Sequence, residues 1–252
     1  MIGDVMGRPG RRAVKGLLPI LRREFDIGMV IVNGENAANG RGITAPIVDE
    51  FLSFGIDVIT SGNHIWDQKE TASFIDTEIP LLRPLNYPGG VPGRGYLVVG
   101  DVLVVNLMGR TFMNNLECPF RTFDHLLESL PERPKTVFVD FHAEATSEKV
   151  AFGWYLDGRA SVVVGTHTHV PTADTRILPG GTAYVTDVGM VGPSRSVIGV
   201  EIDAVIARFL TQMPHALPVA QDGSVLFNSV LVELDGTTGK AKSIQRVDRE
   251  WE

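Results

Sequence analysis

The chain has 252 residues, 44% of them hydrophobic, and a formal net charge of −7 from 23 basic and 30 acidic side chains. That size and apolar fraction suit a globular fold with a sizeable core, while the acidic balance argues against a long nucleic acid as partner, which would need a basic footprint. The single cysteine, Cys118, excludes an intrachain disulfide and a thiolate zinc site and suits a reducing cytoplasm; no apolar run approaches the roughly 20 residues of a membrane-spanning helix, and no leader peptide is expected.

In chain order, a short first strand is followed by Asp4. Val14, Leu17, Leu18, Leu21 and Phe25 then recur at helical spacing and predict a helix bent at Pro19. Residues 29–32 predict a strand, followed by a glycine-rich loop and a helix that Thr44 caps and Pro46 opens. Ile47, Val48, Phe51 and Leu52 share one face of that helix, and Gly55 closes it. A strand at 57–60 leads through a loop to a helix from Asp67, where Asp67 and Glu70 have capping-box spacing. Residues 81–95 are rich in proline and glycine, 96–99 and 102–107 read as a hairpin turning at Gly100-Asp101, and 108–120 form a long loop. Further helices are predicted at 123–130, 147–156 and 203–210, and strands at 136–141, 161–164 and 182–186. A closing hairpin joins 225–232 to 242–246 around Asp235-Gly236. Alternating β-branched runs and helical stripes predict βα units with a parallel or mixed sheet, in one domain spanning 1–252.

Polar residues collect where the strands end. Asp4 follows the first, Asn33-Gly34-Glu35-Asn36 the second and Gly62-Asn63-His64 the third; His142 and Glu144 follow 136–141, Gly165-Thr166-His167-Thr168-His169 follows 161–164, and Asp187 follows 182–186. The carboxyl ends of parallel strands share one edge, so residues far apart in sequence meet there. Each is ordinary alone: Asp4 suits a cap, 33–36 a turn, His64 stacking on Trp66, and His142 a hydrogen-bonded core position. Together they form a mixed nitrogen and oxygen donor set suited to Mn, Fe or Zn, with donors enough for two ions. His125 and His215 lack such neighbours, and residues 3–10 fit neither the dinucleotide nor the P-loop glycine pattern.

The ordered series Asp4, Glu35, Gly62-Asn63-His64, His142 and Gly165-x-His167-x-His169 resembles the calcineurin-like metallophosphoesterases. Within them, Gly3-Asp4-Val5-Met6-Gly7, Asn33-Gly34-Glu35-Asn36-Ala37, Phe141-His142-Ala143-Glu144-Ala145-Thr146-Ser147 and Thr186-Asp187-Val188-Gly189-Met190 resemble the YmdB-type bacterial cyclic-nucleotide phosphodiesterases, over essentially the whole chain. The resemblance implies an α/β sandwich of two mixed sheets packed together and flanked by helices, in α-β-β-α layers. It also implies two metal ions, iron or manganese, with zinc a further option. Asp4, Glu35, Asn36 and His169 would hold one, and Glu35, Asn63, His142 and His167 the other, Glu35 bridging. A metal-bridging hydroxide would attack a small cyclic nucleotide, 2′,3′ or 3′,5′, with His64 assisting the leaving oxygen, while Glu144 and Asp187 would orient histidine ligands. Met6 stands where the general pattern has a histidine ligand and Glu35 where it has an aspartate, the usual arrangement in the YmdB-type branch. Only Met1-Ile2 precede Gly3, whereas similar chains carry a longer apolar run there. A phosphomonoesterase and a non-enzymatic metal-binding signalling or scaffold protein stay open. The expected partner is a small phosphodiester, with no membrane involved and self-association undecided.

Overall fold

Near-continuous β-branched runs such as Val162-Val163-Val164 belong between two packed layers, because a strand covered on both faces has no polar side to show. The computed structural model, which describes residues 1–252, places them there. In order the elements are β1 (Asp4–Val5), α1 (Gly7–Phe25), β2 (Ile31–Asn33), α2 (Ala45–Ser53), β3 (Val58–Thr60), α3 (Thr71–Phe74), β4 (Tyr96–Val99), β5 (Val102–Met108), α4 (Pro119–Ser129), β6 (Thr136–His142), α5 (Thr146–Leu156), β7 (Val162–Thr166), β8 (Arg176–Ile177), β9 (Ala183–Val185), β10 (Met190–Pro193), α6 (Ile202–Thr211), β11 (Val225–Phe227), β12 (Val230–Leu234), β13 (Ala241–Arg246) and β14 (Arg249–Trp251).

Six strands form a mixed sheet in the order β4-β5-β6-β7-β9-β8, with β5, β6, β7 and β9 parallel and an antiparallel strand at each edge. A second layer contains β1-β10-β11-β14, in which β1 runs parallel to β10, and the parallel pair β2-β3. Ile2 links these two parts, bridging Val32 on one side and Ser229 on the other. Despite its two residues, β1 is therefore tied down on both flanks, and Asp4 is fully buried.

Three apolar clusters separate the layers. Val14 and Leu18 of α1 and Val48 and Phe51 of α2 pack with Val32, Ile59, Val191 and Phe227. On the other side, Phe123 of α4 and Phe152 of α5 pack on Val105, Val139, Phe141 and Val163. Between the sheets lie Ile31, Val58, Val104, Phe138, Val162 and Val164. Successive strand residues point to opposite faces, so Val104, Phe138 and Val162 meet the facing sheet while Val105, Val139 and Val163 meet the helices. The result is an α/β fold with mixed sheets and helices on both outer faces. No helix is long and apolar enough to cross a membrane.

Two expectations are corrected. The helix predicted from Asp67 is replaced by turns and the single turn of α3, because the Asp67 carboxylate accepts from His64 Nδ1 at 2.9 Å instead of capping a helix. The strand predicted at 225–232 divides: β11 pairs with β10 and β14, and β12 turns away to pair with β13. The break falls at Ser229, whose N–H donates to Asp248 Oδ1 and whose hydroxyl donates to Val247 O.

Candidate metal centre

The carboxyl ends of β2, β3, β6 and β7 deliver polar residues to one place, and Asp4, expected to follow the first strand, instead opens β1 because its backbone pairs with Met190. His142, the last residue of β6, is fully buried. Its Nε2 lies 3.2 Å from Glu35 Oε1, 3.0 Å from Asn63 Oδ1 and 3.0 Å from His167 Nδ1. Glu35 Oε1 also meets Asn36 Nδ2 at 3.2 Å, and Asn36 Nδ2 meets His169 Nε2 at 3.1 Å. Asn36 and His169 thus join the first group through Glu35. Asp4 Oδ2 accepts from His167 N at 3.2 Å, and its Oδ1, 3.9 Å from His142 Nδ1, is buried without a hydrogen-bond partner.

The outward hydrogen bonds of the three imidazoles set what they present inward. Thr166 Oγ1 donates to Asp140 Oδ1 at 2.7 Å, so its lone pair accepts from His142 Nδ1–H at 2.9 Å. His167 Nε2–H donates to Glu144 Oε2 at 3.0 Å, and His169 Nδ1–H donates to Ile198 O at 2.8 Å. With these tautomers, assigned from the network, each neutral ring turns a bare nitrogen inward, as ligating histidines do. Around His142 Nε2, lone pairs then face one another with no hydrogen between them. Such a place needs a cation or a proton.

The electrostatics agree. Burial alone would lower the His142 pKa, but the adjacent Glu35 carboxylate, with Asp4 and Asp140 behind it, raises it to about 9. Burial would likewise raise Glu35, yet the charge and hydrogen bond of His142 hold it down at about 2. His167 is pushed down to about 3 by burial and by the neighbouring His142 cation. Burial raises Asp4 well above the usual carboxylate range. In the metal-free protein one proton on His142 therefore does the work of a cation among acceptors. The residues present fit a metal: an acceptor-only cluster, an orphaned carboxylate oxygen and no thiolate.

The backbone is committed to this arrangement. His167 (φ 101°) and His169 (φ 65°) both lie in the left-handed region that side-chain-bearing residues avoid. Such strain persists where its surroundings over-determine it. Asp187 Oδ2 accepts from Thr168 N at 3.2 Å and Thr168 Oγ1 at 2.8 Å, and from the buried Lys149 Nζ at 2.6 Å; Lys149 also donates to Thr166 O at 2.7 Å. Asp187 thus grips the turn between the two histidines, and Glu144 contacts the His167 ring directly. At Gly62 an added Cβ would lie 2.2 Å from His142 Cδ2 and 2.3 Å from Glu35 Oε2, so a residue with a side chain would displace both. His64 donates its N–H to Glu35 Oε2 at 3.3 Å, and its side chain lines a cavity of about 480 Å³ beside the cluster.

The family model for YmdB-like proteins matches residues 1–247. The chain belongs to the YmdB-like family. It is 49% identical over 250 residues to the 2′,3′-cyclic-nucleotide 2′-phosphodiesterase of Bacillus subtilis, covering 98% of this chain and 94% of that protein. A crystal structure of a hypothetical protein from Thermus thermophilus matches with a TM-score of 0.92 and 47% identity, covering 100% of this chain and 98% of that one. A crystal structure of a novel phosphatase from Mycoplasma pneumoniae matches with a TM-score of 0.93 and 34% identity, covering 100% and 92%.

In this YmdB-like chain, Thr60, Asp140 and Lys149 are supporting residues that the sequence pattern did not mark, and Asn33, marked as a strand-end residue, has a supporting role. Asn33 accepts from Glu35 N through Oδ1 at 3.1 Å and donates through Nδ2 to Asp140 Oδ2 at 3.2 Å. Asp140 also accepts from Thr60 Oγ1 at 2.5 Å. The available signal was Asp140 itself, the one charge in the apolar run 137–141. Lys149 gave none, since a lysine on a helix normally faces water. A proton-linked prediction follows from the raised His142: with His142 as a metal ligand, uptake by chelator-stripped protein at pH 7–8 would release protons, because that nitrogen must lose its proton first. The release declines as pH rises through about 9, where His142 is already neutral. Calorimetry in buffers of different ionisation enthalpy measures it, and proton-neutral uptake at pH 7 would contradict this picture.

Proposed function

We propose that this chain is a binuclear metal-dependent phosphodiesterase of calcineurin-like type, acting on small cyclic nucleotides, and that residues 1–252 form its one catalytic domain. The coarser class is firm: with full-length relatives named as a phosphodiesterase and a phosphatase, the chain is a phosphoric ester hydrolase. The finer reading rests above all on the three imidazoles that turn bare nitrogens toward Glu35 and the two asparagines. Asp4, Glu35, Asn36 and His169 would hold one ion, and Glu35, Asn63, His142 and His167 the other; manganese, iron and zinc all accept such donors. Bound there, the ions would neutralise phosphoryl charge and lower the pKa of water toward neutrality. A rotation of the Asn36 amide by 180° would turn Oδ1 to the place its Nδ2 now occupies.

The remaining work falls to the chain's own groups. Thr166 and Glu144 keep His142 and His167 in their tautomers, and Ile198 O does so for His169. Asp67 fixes the His64 ring through Nδ1, leaving Nε2 to pass a proton to the departing ester oxygen. His64→Ala is expected to lower kcat by about 10²–10⁴-fold with metal content unchanged; loss of metal on elemental analysis would make His64 a ligand instead.

The substrate class comes from the Bacillus subtilis relative, whose name specifies a 2′,3′-cyclic nucleotide. The word phosphatase attached to the Mycoplasma structure favours a second reading, monoester hydrolysis on the same centre. Metal-replete protein assayed in parallel on 2′,3′-cyclic AMP, 3′,5′-cyclic AMP and AMP separates them: turnover of the cyclic esters well above that of AMP supports the phosphodiesterase, and the reverse order overturns it.

A further inference from the structure

We propose that the turn at Ile198-Gly199, with Met6, Val200, Leu217 and Val219, is an apolar platform for the nucleobase of the substrate. This proposal rests on the phosphodiesterase reading and extends it to the part of the substrate that does not react. Both central residues of the turn have positive φ, 49° at Ile198 and 98° at Gly199, and Val197 and Val200 exchange both backbone hydrogen bonds around them, at 2.9 and 3.0 Å. Positive φ at both centres marks a type I′ turn, a position that favours Asn, Asp or Gly. A β-branched residue there is strained. It is also 48% exposed, so burial in the core does not explain its presence.

What Ile198 does reach is the site. Its carbonyl oxygen accepts from His169 Nδ1 at 2.8 Å, and its residue lines the 480 Å³ cavity together with Glu35, Asn36, His64 and His169. That volume falls within the roughly 300–1,000 Å³ usual for small-molecule sites. The cavity has two characters. The carboxylate, amide and imidazoles of the cluster, with the polar Arg41 and Gln68, line it together with Met6, Ile198, Val200, Leu217 and Val219, which have no side-chain hydrogen-bonding group among them. Met6 and Val219 are buried and form one small cluster with Met190, while Ile198 and Leu217 stand nearer the solvent. Gly199 lets the turn settle on Met6, since a Cβ there would lie 2.6 Å from Met6 Cε. Met6, which stands where the wider superfamily pattern has a histidine, thus becomes part of an apolar floor. A flat aromatic group whose faces suit apolar contact, tethered a few ångströms from a phosphodiester, matches this pairing of surfaces, and a nucleobase is such a group.

The test uses a change that removes the platform while relieving the turn. Ile198→Asn suits a left-handed backbone and keeps the carbonyl that holds His169; Leu217→Ala trims a second apolar residue of the same lining. Two substrates are compared, 2′,3′-cyclic AMP and glycerol 1,2-cyclic phosphate, which has the same five-membered cyclic ester and no base. In either variant the ratio of kcat/KM for the nucleotide to that for the base-free ester is expected to fall about tenfold, the low end for apolar contacts of this size. The melting temperature of Ile198→Asn should be no lower than that of the parent. Independently of turnover, adenosine should shift the methyl resonances of Ile198, Val200 and Leu217 in the parent chain, and Leu217→Ala should weaken its binding. An unchanged ratio, an equal loss on both esters, or adenosine that leaves these methyls unmoved overturns the base platform. If the parent hydrolyses neither ester with manganese or iron, the phosphodiesterase reading falls, and the adenosine measurement still decides the platform.

Discussion

On the binuclear proposal, Glu35→Ala is expected to leave less than about one thousandth of the parent kcat, the loss expected when a group that organises the charge-stabilising centre is removed, and to lower the metal content. The reason is connectivity. Oε1 meets His142 Nε2 and Asn36 Nδ2, each at 3.2 Å, and Oε2 accepts the backbone N–H of His64 at 3.3 Å. Removing the carboxylate breaks the link between the His142 group and the Asn36-His169 pair and leaves the buried Asn36 amide with one contact fewer. Elemental analysis and initial rates on the same preparation check this. A variant holding the parent's metal content at near-normal activity would show that Glu35 does not join the two groups. Glu35→Gln is the informative companion, since it keeps shape and one oxygen while removing the charge, and should retain part of the metal but little of the rate.

The second large effect is structural and lies one layer behind the clustered histidines. Lys149→Met is expected to cost about 3–5 kcal/mol, the usual range when a buried ion pair loses one partner, and to lower the melting midpoint by roughly 10 °C in a chain of this length. Lys149 and Asp187 are both almost completely buried, and Nζ bonds Asp187 Oδ2 at 2.6 Å and Thr166 O at 2.7 Å. Methionine fits the space but strands the carboxylate, which then pulls on the strained turn carrying His167 and His169. Adding Asp187→Asn should restore part of the stability by removing the uncompensated charge. Thermal denaturation of the single and double variants measures both effects, and a Lys149→Met protein as stable as the parent would mean that the pair does not hold the turn.

The sequence showed the site's ingredients more clearly than their geometry. Ligand-competent residues at the ends of five strands were legible because parallel strands present their carboxyl ends together. So were the main helices and the Gly100-Asp101 hairpin, where periodicity and turn chemistry agree. Local pattern failed where a tertiary contact claimed the deciding group: Asp67 looked like a helix cap, but His64 takes its carboxylate. It failed again at Asn228-Ser229, where one apolar run serves two different partners. Strands as short as β8 and β14 carry no periodicity to read. The left-handed backbone at His167, His169 and Ile198 is set by hydrogen bonds from distant residues, so nothing in the local residue types announces it.

A titration of chelator-stripped protein with manganese, read as initial rate of 2′,3′-cyclic AMP hydrolysis against equivalents added, bears most directly on a binuclear phosphodiesterase. The rate should stay low through the first equivalent and reach its plateau at two per chain. A plateau at one equivalent, or no hydrolysis at any loading of manganese or iron, would contradict it.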